Sequence, residues 1–408
     1  MPPRAWSAAV ALPAAVAVAL WAARASGSGF ELVEQSPEAT ATAGAQTADA
    51  SSAAAVYYDP AALAFQNGTT VQGGASLLVY RGDATASGGA AASSGIFATP
   101  TVFAGARIAA RFAVGIGVFD PFAFSISYPS GWAGRAAGTA FELRALAVNP
   151  SVAVRPLPWL AFGFGVDVVP ATLSYRRATT LAGGSEGTLA LDLSGTGVGG
   201  NAAVFVRILP RWLDAAVSYR SAVDLDLSSS VAKGTLPLPH AFTFALASHP
   251  LAGLTLDADV RLTLWQDLAT VGFTFSDMTT PKETLTLDYN DTVGVRIGAT
   301  WRFLRDADGE RHLAIRVGGG WEQAPTNAAA TSPLLPDGDR YFAGGGLGAR
   351  FGFFAVDAGY LAGISGDLLG ADGTFIARYH SITHTVSLAL TFRFDDLPWH
   401  NDEPDYRR

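Results

Sequence analysis

Residues 213–227, LDAAVSYRSAVDLDL, alternate between two sets of side chains along the whole stretch. The odd-numbered positions carry nearly all of the long apolar side chains, whereas the even-numbered positions carry Asp, Ser, Arg and Ala. Successive side chains of a β-strand point to opposite faces, so this period of two predicts a strand with one apolar and one polar face. The pattern recurs in residues 254–264, 293–303 and 386–394, and it predicts an all-β fold.

The alternating runs have the length of a tilted strand that crosses a bilayer, which is roughly 9–11 residues. Segmenting the chain in this way gives about fourteen strands, more than one ordinary sandwich contains. The predicted strands lie near residues 70–80, 97–110, 112–127, 139–155, 159–177, 186–208, 211–229, 238–249, 252–267, 286–304, 311–323, 340–351, 353–363 and 382–394.

The connections between these strands alternate between long and short. Long connections are predicted at 81–96, 128–138, 178–185, 230–237, 268–285, 324–339 and 364–381. Outer-membrane barrels place short turns at one end and long loops at the other, whereas both ends of a soluble sandwich face water. Trp159 and Trp212 fall at short turns, as expected for an interfacial aromatic girdle, although a large soluble β protein with an aromatic core remains the alternative.

The N-terminus has the layout of a secretory signal. Arg4 precedes an apolar run over residues 5–23, and small residues at Ala23 and Ala25 predict cleavage after Ala25; a retained membrane anchor is the alternative. No later run of 18 apolar residues predicts a helical span. The chain has no cysteine for disulfides, and its net charge of −8 without a basic block excludes nucleic acid as a partner.

Residues 26–66 lack sustained alternation and consist mainly of small residues. Phe30 and Leu32 are large apolar anchors within this stretch, which predicts a plug that packs inside the barrel. A flexible linker is the alternative, but glycine and proline are sparse. Asp59-Pro60-Ala61 predicts a turn into a short helix, with Asp59 as the N-cap and Pro60 at the first helical position.

Several motifs together resemble the FadL-type outer-membrane long-chain fatty acid transporter family. They are Ser28-Gly29-Phe30-Glu31-Leu32, Asp59-Pro60-Ala61, Asn149-Pro150-Ser151 and Leu335-Pro336-Asp337-Gly338-Asp339-Arg340. The family has Asn where this chain has Asp59. The resemblance implies a monomeric barrel among outer-membrane lipids that takes up a long-chain fatty acid or another lipophilic molecule and needs no cofactor.

Asp120-Pro121-Phe122 interrupts the third predicted strand. Proline has no N–H group to donate to a neighbouring strand, so Pro121 predicts a local break in pairing. In the resembling family the third strand carries an inward kink that opens a lateral hole, which implies substrate exit here; an ordinary bulge is the alternative. Arg176 and Arg177, beside a long loop, are candidates to pair a substrate carboxylate or are simple rim charges.

Other constellations do not predict catalysis or a metal site. The acid pairs Asp224/Asp226 and Asp257/Asp259 share the predicted interior with several arginines, which predicts mutual neutralisation in the lumen. The glycine-rich run at 195–200 is followed by more strand instead of a helix, so it predicts room beside the plug and no nucleotide site. His380 and His384 have no nucleophile placed with them.

The sequence thus divides into a signal peptide (1–25), a plug or hatch (26–66), a transmembrane β-barrel (67–394) and a polar tail (395–408). Both termini of the mature chain are expected in the periplasm. The predicted function is passive transport by loop capture, plug-gated internal binding and lateral exit. A non-transporting barrel that serves as an adhesin or structural protein, a barrel enzyme, and a channel for aromatic hydrocarbons are the alternatives.

Overall fold

The computed structural model describes residues 29–394 with short gaps, and the predicted signal peptide and polar tail lie outside the described residues. The gaps are residues 182, 266–267, 277–281, 307–309, 327, 330 and 372–374. Within the described part, no helix has both the length and the apolar character needed to cross a membrane.

Between residue 29 and the first strand, the structure has three short helices: α1 (Pro37–Ala41), α2 (Ala55–Tyr58) and a 3₁₀ helix (Pro60–Phe65). The Ser36 hydroxyl caps α1 by accepting a hydrogen bond from the Ala39 N–H. Asp59 caps the 3₁₀ helix in the same way through the Ala61 N–H, with Pro60 in its first turn. The predicted capped turn at Asp59-Pro60-Ala61 is therefore confirmed.

The rest of the described chain is almost entirely β-structure. The segments are β1 (Thr69–Ala86), β2 (Gly89–Ala109), β3 (Phe112–Ser127), β4 (Ala140–Leu157), β5 (Leu160–Thr180), β6 (Glu186–Leu209), β7 (Leu213–Arg220), β8 (Val223–Ser228), β9 (Ala232–Leu238), β10 (His240–Leu251), β11 (Leu254–Leu264), β12 (Thr270–Phe275), β13 (Glu283–Thr286), β14 (Thr292–Phe303), β15 (Arg311–Glu322), β16 (Arg340–Phe351), β17 (Phe354–Ala371) and β18 (Ile376–Phe394).

These segments close into one antiparallel barrel. β1 pairs with β2 on one side and with β18 on the other, where Leu77 stands opposite Val386. Four strands of the barrel each consist of two segments, namely β7 with β8, β9 with β10, β11 with β12, and β13 with β14. The 18 described segments therefore make 14 strands, as predicted.

The outer wall of the barrel is apolar. Val198 and Leu388 are 65% and 58% exposed, and they belong to a large set of exposed Val, Ile, Leu and Phe side chains. Trp159, Trp212 and Trp301 are also exposed at the end that carries the short turns. An apolar band edged by aromatic rings is the surface that a protein presents to the hydrocarbon of a membrane. Its apolar area is larger than the patches that a soluble protein normally exposes to water.

Several stretches that were predicted as long loops continue as strands. β1 and β2 extend through residues 81–96 and meet in a turn at residues 87–88, and β17 and β18 extend through most of residues 364–381. The prediction was wrong there because these extensions are rich in Ala, Ser and Gly, which give little hydrophobic contrast. Above the hydrocarbon layer the outer face also has no need of apolar side chains.

The described part of the plug, residues 29–66, is buried over nearly all of its length. Its helix α1 contacts β15 to β18, whereas its 3₁₀ helix contacts β2 to β6 on the other side of the ring. Gly163 and Gly318 in the wall allow this close approach, because a side chain at either position would collide with the backbone of Ala61 or Thr42. The segment therefore contacts strands from both halves of the ring.

Candidate functional site

The third strand loses its pairing with the second strand at the predicted position. Ser94 pairs with Ser127, and Val102 pairs with Val118, but residues 95–101 of β2 and 119–126 of β3, which lie between these pairs, are not paired with each other. β3 remains paired with β4 on both sides of a bulge that lies between Phe119 and Phe122. The break predicted from Pro121 is confirmed, and it lies on the side of β3 that faces β2.

The plug supplies the partner that β2 does not. The Leu32 N–H donates to the Pro121 carbonyl at 2.8 Å, and the Ala123 N–H donates to the Phe30 carbonyl at 3.1 Å. Gln35 Nε2 donates to the Asp120 carbonyl at 2.8 Å. Asp120, Pro121 and Phe122 are all buried, so this part of β3 bends inward and pairs with the plug as if the plug were a short strand.

Three aromatic rings meet where the plug contacts the bend. The Phe30 ring lies 5.1 Å from the Trp265 ring and 6.1 Å from the Phe122 ring, both with edge-to-face geometry. The Trp265 ring also lies 5.5 Å from the ring of Tyr289. We call these four residues the aromatic junction. Leu32 points elsewhere, into a small buried cluster with Phe97 of β2 and Ala123 of β3.

One side chain from β4 reaches across the unpaired stretch. Arg144 Nη2 donates to the carbonyl of Ala98 on β2 at 2.5 Å, although β3 lies between the two strands in the ladder. In this structure Leu32, Phe97 and Ala123 close the interruption from the inside. The wall is therefore held shut here by side chains and by the plug, instead of by a continuous ladder.

Asp59, Pro60 and Ala61 lie in the other half of the plug, against β4 and β5. Asp59 is fully buried, and its Oδ1 accepts from the Ala61 N–H at 2.8 Å whereas its Oδ2 has no partner among the described residues. Burial raises the pKa of Asp59 to about 8, against the opposing effect of the N–H groups of Ala61 and Ala62. The structure does not bring these residues together with the aromatic junction.

Both candidate arginines already have carboxylate partners. Arg176 points outward and pairs with Asp192 at 2.7 Å. Arg177 pairs with Glu283 of β13 at 2.7 Å, and Glu283 also accepts from the Tyr175 hydroxyl. The two arginines therefore face different sides of the wall.

The stretch that first indicated a β fold changes its phase at Ser221-Ala222. Val223, Leu225 and Leu227 of β8 are buried, whereas Asp224 and Asp226 are exposed, so the prediction that these two acids face the lumen was wrong. β8 pairs with the long-loop part of β6, whose outer face also carries exposed Asp192. Beyond the hydrocarbon layer the outer face meets water, and the apolar side chains turn inward.

Sequence reasoning missed the group of apolar side chains that this reversal creates. We call it the outer apolar cluster, and it lies inside the barrel toward the long-loop end. Its members are Leu173, Leu191, Leu193, Leu225, Leu227, Leu236, Val271 and Phe273. The glycines of residues 195–200 were predicted to make room for the plug, but Gly195 and Gly197 instead lie against the backbone of β8.

Buried arginines of the lumen are neutralised, but by acids other than those predicted. The pairs are Arg220 with Asp167, Arg261 with Glu31, Arg296 with Glu322, Arg302 with Asp49 and Arg316 with Asp357. Asp259 instead accepts from the plug backbone at Thr47. Near Asp257 and Arg302, a polar cavity of about 230 Å³ separates the plug from the wall.

The loop between β15 and β16 contacts the N-terminal end of the plug. Leu334 and Leu335 of this loop are buried, Asp337 accepts from the Gly29 N–H, and Arg340 donates to the Gly29 carbonyl at 2.8 Å. Tyr128 of the neighbouring loop donates to the Pro333 carbonyl at 2.9 Å. The conspicuous Leu335–Arg340 motif thus ties an outer loop to the plug, a role that its sequence did not reveal.

The histidines of β18 lie away from this site. His380 pairs with Asp367 on the exposed face, and His384 contacts the Tyr360 hydroxyl at 2.8 Å. Within the described residues, no group of three or more His, Cys, Asp or Glu side chains is arranged to hold a metal ion.

Comparisons with solved structures place this architecture among known barrels. A Pseudomonas aeruginosa FadL homologue matches with a TM-score of 0.80 at 18% identity, over 90% of this chain and 100% of that one. The Pseudomonas putida toluene transporter TodX matches with a TM-score of 0.72 at 17% identity, over 90% and 100%. The Ralstonia pickettii toluene transporter TbuX matches with a TM-score of 0.67 at 18% identity, over 89% and 99%.

These identities establish the fold alone. No curated protein sequence matches the chain. The model of one family, described as outer membrane protein transport protein (OMPP1/FadL/TodX), matches residues 18–367. Because that match covers well over half of the chain, the protein belongs to the OMPP1/FadL/TodX family of outer-membrane transport proteins.

Proposed function

We propose that the protein takes up long-chain fatty acids or similar hydrophobic molecules across the outer membrane, with aromatic hydrocarbons as the alternative substrates. The molecule enters at the long-loop end, binds in the apolar interior, and leaves sideways between β2 and β3. The interruption of the β2–β3 ladder, occupied by the plug, is the observation that carries this proposal. The route uses no cofactor and no energy source.

The outer apolar cluster supports the entry step. Leucine side chains on β6, β8 and β9 point inward, whereas the outer face at this level is charged. A hydrophobic molecule that moves from water to such a surface gains about 25 cal/mol for each Å² of apolar area that it buries. A lipophilic molecule can therefore bind to this cluster from water without a charged side chain to pair with.

Phe30 and Leu32 are proposed as the moving part of the gate, and Asp120, Pro121 and Phe122 as its fixed part. Three hydrogen bonds join residues 30–35 of the plug to residues 120–123 of β3. Each contributes a net stabilisation of about 0.5–1.5 kcal/mol, and opening the gate also breaks the buried ion pair between Glu31 and Arg261, so the bound molecule has to offset both. Displacing the plug here removes the partner of β3 and uncovers the unpaired wall.

Asp59, Pro60 and Ala61 are proposed to anchor the part of the plug that stays in place. Arg176 and Arg177 are proposed as rim charges, since Arg177 would have to release Glu283 before it bound a carboxylate. The family consists of transport proteins, and we propose no catalytic activity for this chain.

The proposal includes the topology and the processing of the chain. Residues 1–25 are removed as a signal peptide, residues 26–66 form the plug, residues 67–394 form the barrel, and residues 395–408 form a periplasmic tail. Both termini then lie in the periplasm, at the side of the short turns. β1 pairs with β18, so the described strands form a closed ring, and a monomer surrounded by outer-membrane lipids is the proposed state.

Filling the interruption tests the exit step. Ala123→Trp places a large ring between β2, β3 and Leu32, and Pro121→Val allows β3 to regain an N–H donor. Cells with either variant should take up labelled oleate or toluene several-fold more slowly than cells with the parent. The purified variants should still bind the same substrate. Ala75→Trp, on an exposed part of β1 that is paired on both sides, is the matched control.

Cells with the parent barrel should outpace cells with an empty vector in this assay. Equal uptake by those two would favour a non-transporting barrel. Parental uptake by both filled variants, at equal amounts of folded barrel, would contradict exit between β2 and β3.

A further inference from the structure

Two neighbouring buried residues each carry a hydrogen-bond donor that has no acceptor in the part of the chain that the structure describes. Trp265 Nε1 and the Tyr289 hydroxyl are each without an acceptor among the described residues. The two residues are 0% and 4% exposed, and their rings lie 5.5 Å apart. A buried polar group without a hydrogen bond costs about 1–3 kcal/mol, so two such groups side by side require an explanation.

These donors stand at the gate. Trp265 contacts Phe30 of the plug and lies 6.2 Å, between ring centroids, from Phe122 in the bend of β3. The plug backbone at Gly29 also lies against the Trp265 ring, so closely that a side chain at Gly29 would come within 2.8 Å of it. A molecule that displaced Phe30 would therefore meet the indole of Trp265, and the Tyr289 ring lies 5.5 Å from that indole.

The charges around this site are already balanced. The charged groups that act on Tyr289 are Asp337 and Arg340, and these two form an ion pair at 2.7 Å. The structure thus offers two neutral donors beside a compensated pair, set in an apolar surrounding. That combination suits a neutral oxygen better than a carboxylate, whose burial needs an uncompensated positive charge.

Building on the proposed function, we propose that Trp265 and Tyr289 bind a neutral hydrogen-bond-accepting oxygen on the substrate when its chain replaces Phe30. The preferred substrates are then lipophilic molecules with one hydroxyl, ester or undissociated acid group. A plain hydrocarbon uses the same apolar space but leaves both donors unpaired. The two donors determine the class of substrate. Phe30 fills the substrate's space beside Trp265 until the substrate displaces it.

A matched pair of ligands tests this assignment on the full-length mature protein in lipid nanodiscs. 1-Dodecanol and n-tridecane have the same number of heavy atoms and differ in one oxygen. Tyr289→Phe should weaken dodecanol binding by about three- to tenfold, the equivalent of one lost hydrogen bond, and leave tridecane binding unchanged. Trp265→Phe should act in the same direction, and the parent should bind dodecanol more tightly than laurate at pH 8.

Tyr360→Phe is the control, because its hydroxyl binds His384 on the exposed face. Without ligand, Tyr289→Phe should unfold no earlier than the parent, since the hydroxyl that it removes has no hydrogen-bond partner among the residues that the structure describes. Equal loss of dodecanol and tridecane, unchanged dodecanol binding, or tighter laurate binding would overturn the inference. Failure of the parent to bind either ligand would instead contradict the proposed function.

Discussion

Asp59 shows how much a single position contributes to the site and how much of it a sequence reveals. Its capping role follows from the Asp-Pro-Ala order, because a carboxylate before a helix accepts the free N–H groups. Its complete burial does not follow from that order, since it depends on β4 and β5 closing over the turn. The unpartnered donors of Trp265 and Tyr289 escaped sequence reasoning for the same reason: their surroundings come from distant parts of the chain.

Asp59→Asn should stabilise the protein increasingly as the pH rises. The Asp59 pKa is raised from 3.8 to about 8, so the folded state holds a proton that the unfolded state releases between these values. Folding stability is therefore lost as the pH rises through this window, and Asn removes that loss while it still caps the helix. We expect a gain of about 1 kcal/mol or more at pH 7 and much less at pH 4.5.

Thermal unfolding of the purified barrels at pH 4.5, 6 and 8 measures the effect of Asp59→Asn. Asp226→Asn is the control, because Asp226 is exposed on β8. The same shift in unfolding temperature at all three pH values would show that Asp59 is not protonated in the folded protein.

At the scale of elements, sequence reasoning succeeded where one residue dictates backbone pairing. Pro121 predicted the break in β3, and two-residue periodicity located the strands that cross the hydrocarbon layer. It failed at Ser221-Ala222, where the phase of the strand reverses, because alternation alone does not show where the outer face passes from lipid to water. It also failed to pair the lumenal arginines, since the partners Glu31 and Arg261 lie 230 positions apart.

The contact between the β15–β16 loop and the plug makes a prediction at this scale. Asp337→Ala removes the acceptor of the Gly29 N–H and the partner of Arg340. We expect the amides of residues 29–35 to exchange with deuterium several-fold faster, whereas those of the 3₁₀ helix keep the parental rate. Asp339→Ala, two residues along the same loop, is the control, and equal exchange in both variants would show that the loop does not hold the plug.

For the molecule as a whole, the barrel and the plug each supply contacts that the other lacks. The ring of 14 strands closes through β1 and β18, yet between β2 and β3 its ladder is replaced by contacts with the plug. Glu31 of the plug in turn neutralises Arg261 of the wall, so removing the plug would leave a buried charge without a partner. The N-terminal end of the plug therefore pairs with β3 where β2 does not, and we propose that its movement opens the wall.

A reversible covalent link across the interruption tests whether substrate leaves between β2 and β3. The chain has no cysteine, so a pair introduced at Phe97 and Ala123, which share one buried cluster, forms the only disulfide. A second pair at Leu77 and Val386, which are directly paired across β1 and β18, links an intact seam as the control.

Uptake of a labelled lipophilic substrate is measured with each disulfide formed, as verified by mass spectrometry, and again after reduction. We expect the Phe97–Ala123 link to reduce uptake at least about tenfold, chemical reduction of the disulfide to restore uptake, and the Leu77–Val386 link to have no effect. Undiminished uptake through a barrel fully linked between β2 and β3 would contradict lateral exit and would favour passage past the plug into the periplasm.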